Sequence, residues 1–129
     1  VSQTDAAGKL NSYVYDDSGR VTSHTDPLNR VVSWGYDGND NKVAFTDGRG
    51  KVTAYAYTSR NQLSGITYAD GTTDVWTYNA AGAVATKTDG RGVVTTFAYD
   101  DAGRQTGITY PAGTASVAFT YDANGRKTA

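Results

Sequence analysis

Aromatic-x-Tyr triplets recur along this 129-residue chain at an almost constant interval, and no other feature limits its possible folds so tightly. They are Tyr13-Val14-Tyr15, Trp34-Gly35-Tyr36, Tyr55-Ala56-Tyr57, Trp76-Thr77-Tyr78, Phe97-Ala98-Tyr99 and Phe119-Thr120-Tyr121. The second Tyr falls at 15, 36, 57, 78, 99 and 121, so four steps are 21 residues and the last is 22. A second column, Thr25, Thr46, Thr67, Thr88 and Thr109, stands ten residues after each anchor Tyr, and Thr4 fills it at the start. Two columns in one phase are the signature of a tandem array in which each copy is one small supersecondary unit.

Each copy carries two turn signals. After the anchor Tyr comes Asp-x-x-Gly-Arg, complete in Asp16-Asp17-Ser18-Gly19-Arg20, Asp100-Asp101-Ala102-Gly103-Arg104 and Asp122-Ala123-Asn124-Gly125-Arg126. After the column Thr come Asp5-Ala6-Ala7-Gly8, Asp47-Gly48-Arg49-Gly50 and Asp89-Gly90-Arg91-Gly92. An Asp opening a turn accepts hydrogen bonds from backbone N–H groups further on. A Gly three residues later supplies the left-handed conformation that closes a three-residue hairpin loop with a bulge. The stretches between turns have the length of one strand and are rich in Val, Thr and Tyr, residues that suit a pleated surface. No window shows apolar residues at i, i+3, i+4 and i+7, so no helix is expected.

The unit is therefore a β-hairpin. The fold class is all-β: tandem 21-residue hairpins, about twelve short strands, forming one continuous antiparallel twisted strip. Residues 1–129 form a single array of about six repeats, expected to be a segment of a larger protein. Residues i and i+2 of a strand share a face, so both rings of each triplet point the same way. An aromatic ladder follows, made of Tyr13, Tyr15, Trp34, Tyr36, Tyr55, Tyr57, Trp76, Tyr78, Phe97, Tyr99, Phe119 and Tyr121, with each anchor ring expected to pack on its equivalent in the next repeat. The 22-residue step should appear as a longer loop or bulge near Tyr110-Pro111-Ala112-Gly113.

Composition removes several functions. With 12 basic and 13 acidic side chains the net charge is -1, which gives no electrostatic reason to seek nucleic acid or an anionic membrane. No apolar run approaches the ~20 residues of a membrane span. There is no cysteine, hence no disulfide and no thiolate metal site. The start, Val1-Ser2-Gln3-Thr4-Asp5, does not read as a signal peptide.

Taken together, the Tyr-Asp-x-x-Gly-Arg hexapeptides and their spacing resemble the YD-repeat, or Rhs-repeat, family over essentially the whole chain. Three copies depart from the signature: Tyr36-Asp37-Gly38-Asn39-Asp40-Asn41, Tyr57-Thr58-Ser59-Arg60-Asn61-Gln62, where Asn61 is the expected left-handed residue, and Tyr78-Asn79-Ala80-Ala81-Gly82-Ala83. The resemblance implies a large secreted or cell-surface protein, of the kind that includes Rhs polymorphic toxins, the cocoon subunits of Tc toxins, wall-associated antibacterial proteins and teneurins. It implies a β-strip spiralling into a hollow shell, which in the toxins encloses a C-terminal effector. The partners so implied are adjacent repeats of the same chain and an enclosed effector domain, and open strand edges imply self-association.

Catalytic chemistry finds little support. A nucleophile triad needs His, and the only one, His24, sits in a variable strand column shared with Phe45, Ile66, Lys87 and Ile108. The Asp residues open turns, which explains them without an acid–base pair. Asp37-Gly38-Asn39-Asp40-Asn41 has the spacing of a calcium loop, but Lys42 stands where the loop requires Gly, and Gly48 where it requires Glu. The Gly-rich turns at 47–50 and 89–92 are not followed by a phosphate-binding Lys-Ser/Thr. The expectation is no enzyme, no catalytic residue, no cofactor and no metal. The leading reading is a structural shell segment. The alternative is a carbohydrate-binding or adhesive surface module, with Trp34 and Trp76 as the rings on which glycans would stack.

Overall fold

The computed structural model describes residues 1–129 except Val1, Asp5, Ala7, Lys9, Ala112, Gly113 and Ala129. The chain divides into two compact units, Val1–Gly71 and Thr72–Ala129. The first contains β1 (Ser2–Thr4), β2 (Leu10–Tyr15), β3 (Val21–Thr25), β4 (Val31–Tyr36), β5 (Lys42–Thr46), β6 (Val52–Tyr57) and β7 (Leu63–Thr67). The second contains β8 (Thr73–Tyr78), β9 (Val84–Thr88), β10 (Val94–Tyr99), β11 (Gln105–Thr109) and β12 (Val117–Ala118). Within each unit every strand pairs antiparallel with its sequence neighbours, and the described residues contain no helix.

The turns form as their residues dictate. In the first complete copy the Asp16 N–H donates to the Arg20 carbonyl at 3.0 Å and the Gly19 N–H donates to the Asp16 carbonyl at 3.0 Å. Gly19 has φ +78°, so the loop is a tight turn closed by a left-handed bulge residue. The same pair of bonds recurs at Asp26, Asp37, Asp47, Thr58, Asn79, Asp89, Asp100 and Asp122. Where Gly is missing, Asn29, Asp40 and Asn61 take the left-handed conformation at φ 61°, 65° and 59°. Short polar side chains tolerate that region better than most.

The first five hairpins that contain a ring triplet have a second irregularity. The register shifts between Val14 and Tyr15, Gly35 and Tyr36, Ala56 and Tyr57, Thr77 and Tyr78, and Ala98 and Tyr99. Tyr15, Tyr36, Tyr57, Tyr78 and Tyr99 therefore each sit at a β-bulge, where the ladder bends and side chains are re-aimed. The extra residue of the 22-residue step lies in a longer link: β11 and β12 are joined by 110–116, whereas 26–30, 47–51 and 89–93 join the equivalent strands elsewhere. Ala112 and Gly113 of that link, and Asp5 and Ala7 of the first turn, lie outside the described residues.

Among the described residues none is fully buried. Each unit is one layer of sheet, without a second layer to close a core. In β6, β8 and β10 half-buried and exposed positions alternate strictly. The half-buried face carries the rings. The exposed face carries small uncharged residues: Val52, Ala54 and Ala56; Thr73, Val75 and Thr77; Val94, Thr96 and Ala98.

The rings do not pack as the periodicity suggested. Equivalent anchors lie two strands apart, about 9–10 Å, because a strand of the same hairpin array intervenes. Ring neighbours come instead from the adjacent strand. Tyr13 stacks on His24 with centroids 4.7 Å apart and planes at 20°, and Trp34 lies 6.0 Å from Phe45 at 39°. Each pair is directly opposed across one hairpin. Such pairs contribute about 0.2–1 kcal/mol each relative to Ala pairs, so stability accumulates along the array.

Candidate functional site

What a repeat array can do depends on how one copy grips the next, and here the grip is built from the signature residues. Asp16 opens its turn and spends both carboxylate oxygens. Oδ1 accepts from the N–H groups of Ser18 at 3.0 Å and Arg20 at 2.9 Å, and Oδ2 accepts from Arg20 Nε at 2.7 Å. The Arg is thereby held flat against its own turn with the guanidinium aimed forward. The Arg20 guanidinium carbon lies 4.8 Å from the centroid of the Tyr36 ring, the anchor of the following copy. Its Nη1 donates to the Asp37 carbonyl at 3.1 Å and pairs with the Asp40 carboxylate. In return the Tyr36 hydroxyl donates to the Val21 carbonyl at 3.0 Å. The result is a reciprocal staple: Arg reaches forward over a ring, and Tyr reaches back to the residue after the Arg.

The second unit repeats it. Arg104 Nε donates to Asp100 Oδ2 at 2.7 Å, its guanidinium carbon lies 4.7 Å from the Tyr121 centroid, and the Tyr121 hydroxyl donates to the Gln105 carbonyl at 2.7 Å. Departures from the signature retain one half of the device. Asn41 replaces the Arg, and its amide bridges Asp37 Oδ2 at 2.9 Å and Asn61 Oδ1 at 3.0 Å, while Tyr57 still donates to the Lys42 carbonyl at 3.0 Å. Ala83 stands in the Arg column, yet the Tyr99 hydroxyl donates to the Val84 carbonyl at 2.9 Å. The tyrosine half thus persists in these copies without the Arg, and the arginine half is an added clamp.

Electrostatics follow from the same bonds. The Asp16, Asp100 and Asp122 carboxyls are held below the usual carboxylate range, first by the backbone N–H of Arg20, Arg104 and Arg126 respectively, with the Arg side chains adding to it. Asp37 is lowered chiefly by the Asn41 amide. The turns of the other margin behave alike: Asp47 is lowered first by the Lys51 N–H, and Asp89 first by the Arg91 side chain. These are carboxylates fixed in their charged, accepting state, which suits turn closure and is the opposite of a general acid.

The other expected residues fall as follows. Gly19, Gly103 and Gly125 occupy the left-handed turn position, at φ 78°, 77° and 78°. Arg126 bonds its own Asp122 at 2.8 Å, but its side chain is 77% exposed, against 26% for Arg20 and 39% for Arg104. Trp34 and Trp76, the rings named for sugar stacking, each carry a lysine ammonium over the ring, Lys42 at 5.8 Å and Lys87 at 5.4 Å. Among the described residues no group of three or more His, Cys, Asp or Glu could hold a metal ion. Sequence reasoning missed the forward reach of the Arg, the backward reach of the Tyr hydroxyl and the bulge that aims it. One signal was available: Arg and the following Tyr keep a fixed interval of 16 or 17 residues.

Known proteins share the repeat and the fold. The family model described as RHS Repeat matches residues 15–44, 36–73 and 78–115. No curated protein matches the chain. Solved structures do. A Tc holotoxin pore of Photorhabdus luminescens superposes with a TM-score of 0.74 at 18% identity over 99% of this chain and 8% of the other. Crystal structures of TcdB2-TccC3-TEV, and of TcdB2-TccC3 without its hypervariable C-terminal region, give TM-scores of 0.72 and 0.70 at 22% and 21% identity, each over 98% of this chain and 8% of theirs. These likenesses show the fold, and the chain spans about 8% of the length of those proteins.

Proposed function

The chain belongs to the RHS-repeat family, and on that premise we propose that it forms part of the wall of a larger secreted shell that encloses an effector domain. One observation carries the reading: within each unit the same bond recurs, from the hydroxyl of Tyr36, Tyr57, Tyr99 or Tyr121 back to a backbone carbonyl of the repeat before it. A sheet joined this way grows by addition, and it needs no second layer at each step. A wall one sheet thick is what such growth yields, and it has the economy required of a container. The work is mechanical: the segment contributes area, stiffness and two faces of different chemistry. Its partners on this reading are the preceding and following repeats and the enclosed domain. Open strand edges, where not covered by flanking repeats, would recruit another copy.

The test uses the full-length protein with residues 1–129 deleted. Protease sensitivity of the enclosed domain, or its failure to leave the cell in folded form, is the expected result. If the enclosed domain stays protected while attachment to glycan-coated surfaces disappears, the segment is an adhesive module and the shell reading falls.

A further inference from the structure

The staple uses the Tyr, Asp and Arg columns and leaves the Thr column without a task. In the second unit two members of that column, Thr88 and Thr109, lie on the face turned away from the rings. Thr109 belongs to a rank in which Thr77, Thr86, Thr96 and Thr109 are directly opposed from strand to strand across β8, β9, β10 and β11. A second rank runs beside it as Val75, Thr88 and Val94. Val75 and Val94 are 41% and 45% exposed. The charged residues of these four strands are Asp74 and Lys87. Both alternate onto the opposite face, where Lys87 lies over the Trp76 ring.

Three properties of this face select its occupant. It carries no charge, so it meets its own image without repulsion and offers nothing to a charged partner. Its hydroxyls donate and accept at once, so one Thr rank can satisfy another. Thr77 and Thr86 already do so within one copy, with their oxygens 2.6 Å apart. The third property is area. The five strands β8–β12, spaced about 4.8 Å apart and about 20 Å long, give a footprint of about 500 Å2. Two such faces together cover about 1,000 Å2, the low end of specific protein interfaces, so the contact is weak and reversible.

We propose that the unit Thr72–Ala129 pairs face to face with the same unit of a second copy of this chain, sheet on sheet, about a two-fold axis near Thr96. Thr96 stands on β10, the middle strand of the five. Twisted sheets stack in this way with their strands about 30° apart. The pairing supplies the second layer that the single sheet lacks, and it covers Val75 and Val94. A two-fold contact closes at two copies. It thereby differs from recruitment along open strand edges, which continues from copy to copy. The inference goes beyond the shell reading and does not depend on it: a wall that presents this face outward adheres to a second wall.

The experiment is sedimentation equilibrium of the 129-residue chain between about 10 μM and about 1 mM. A single monomer–dimer equilibrium is expected, with a dissociation constant on the order of 0.1 mM. Thr96→Lys should raise that constant at least about tenfold, because it sets two ammonium groups against each other at the axis. An equimolar mixture of Thr96→Lys and Thr96→Glu chains should restore the dimer, which a variant that merely disturbed the fold would not do. The proposal is overturned by a monomer at every concentration, by an open series of larger species, by a dimer undiminished in Thr96→Lys, or by failure of the two variants to pair when mixed.

Discussion

The two rows of turns, built from nearly the same residues, do different work. In the row that follows the ring triplets the Asp binds an Arg four residues on, and that Arg continues to the next copy, as Arg20 does to Tyr36 and Arg104 to Tyr121. In the opposite row the Asp binds an Arg too, at Asp26 and Asp89, but Arg30 and Arg91 end on their own turns and remain 66% and 81% exposed. Contact between turns in that row comes from the absence of side chains: a Cβ on Gly90 would stand 3.1 Å from Thr72 Cβ. One margin is therefore clasped and the other merely close-packed. The turn motif alone closes a hairpin. Joining copies requires a ring whose hydroxyl reaches back to the preceding repeat, and the Arg, where present, clamps it.

The largest effect should come from removing the ring. Tyr99→Ala deletes a half-buried side chain and its bond to the Val84 carbonyl. We expect a loss of about 2–3 kcal/mol, below the 3–5 of a fully buried ring, read by chemical denaturation. A loss under about 1 kcal/mol would mean that the staple does not hold the copies together. Next comes Gly103→Val. A Cβ there touches nothing, so the whole effect is backbone strain at φ 77°, about 1–3 kcal/mol. Gly48→Ala in the opposite row, where the contact is an ordinary 3.5 Å, should be within about 0.5 kcal/mol of the parent.

The clasp itself is smaller. Arg20→Ala should lower the melting temperature measurably through the lost cation–π and hydrogen-bond contacts, and Arg91→Ala should leave it unchanged. Equal effects in thermal melts would erase the distinction between the rows. The pH dependence should be shared by both. The turn carboxyls are lowered from the 3.8 of a free Asp, so their contribution is present above that value and lost as pH falls through the lower folded values. Melting temperatures taken downward from pH 6 should stay level and then fall in the acid range. Asp100→Asn, which preserves an accepting oxygen, should soften that fall.

Much of the fold was legible because repetition multiplies a weak signal. One Asp-x-x-Gly is a common turn, whereas the same turn every 21 residues fixes hairpins, strand lengths and faces. Asn61 was readable as the left-handed residue because Asn tolerates that conformation, and it adopts it. Asp40 was marked only by its phase, 21 residues after Gly19 and 21 before Asn61, since its residue type is a weaker sign of that conformation than Gly. The anchor bulge was invisible for a different reason. It occurs in five successive ring hairpins, so it adds no irregularity to the column spacing from which it would have been inferred. The ring packing was misjudged because columns report what recurs and omit the strand between recurrences.

The bond from an anchor Tyr hydroxyl to a backbone carbonyl spans 15 residues at Tyr36, Tyr57 and Tyr99 and 16 at Tyr121. It therefore acts as a gauge. A residue inserted or lost between the two ends must be displaced into a loop before the hydroxyl can find its carbonyl, and here the surplus residue has gone to the link at 110–116. Drift in length is thereby kept local, one copy at a time. A long gene built of such copies can accumulate insertions at its loops without losing count along its walls.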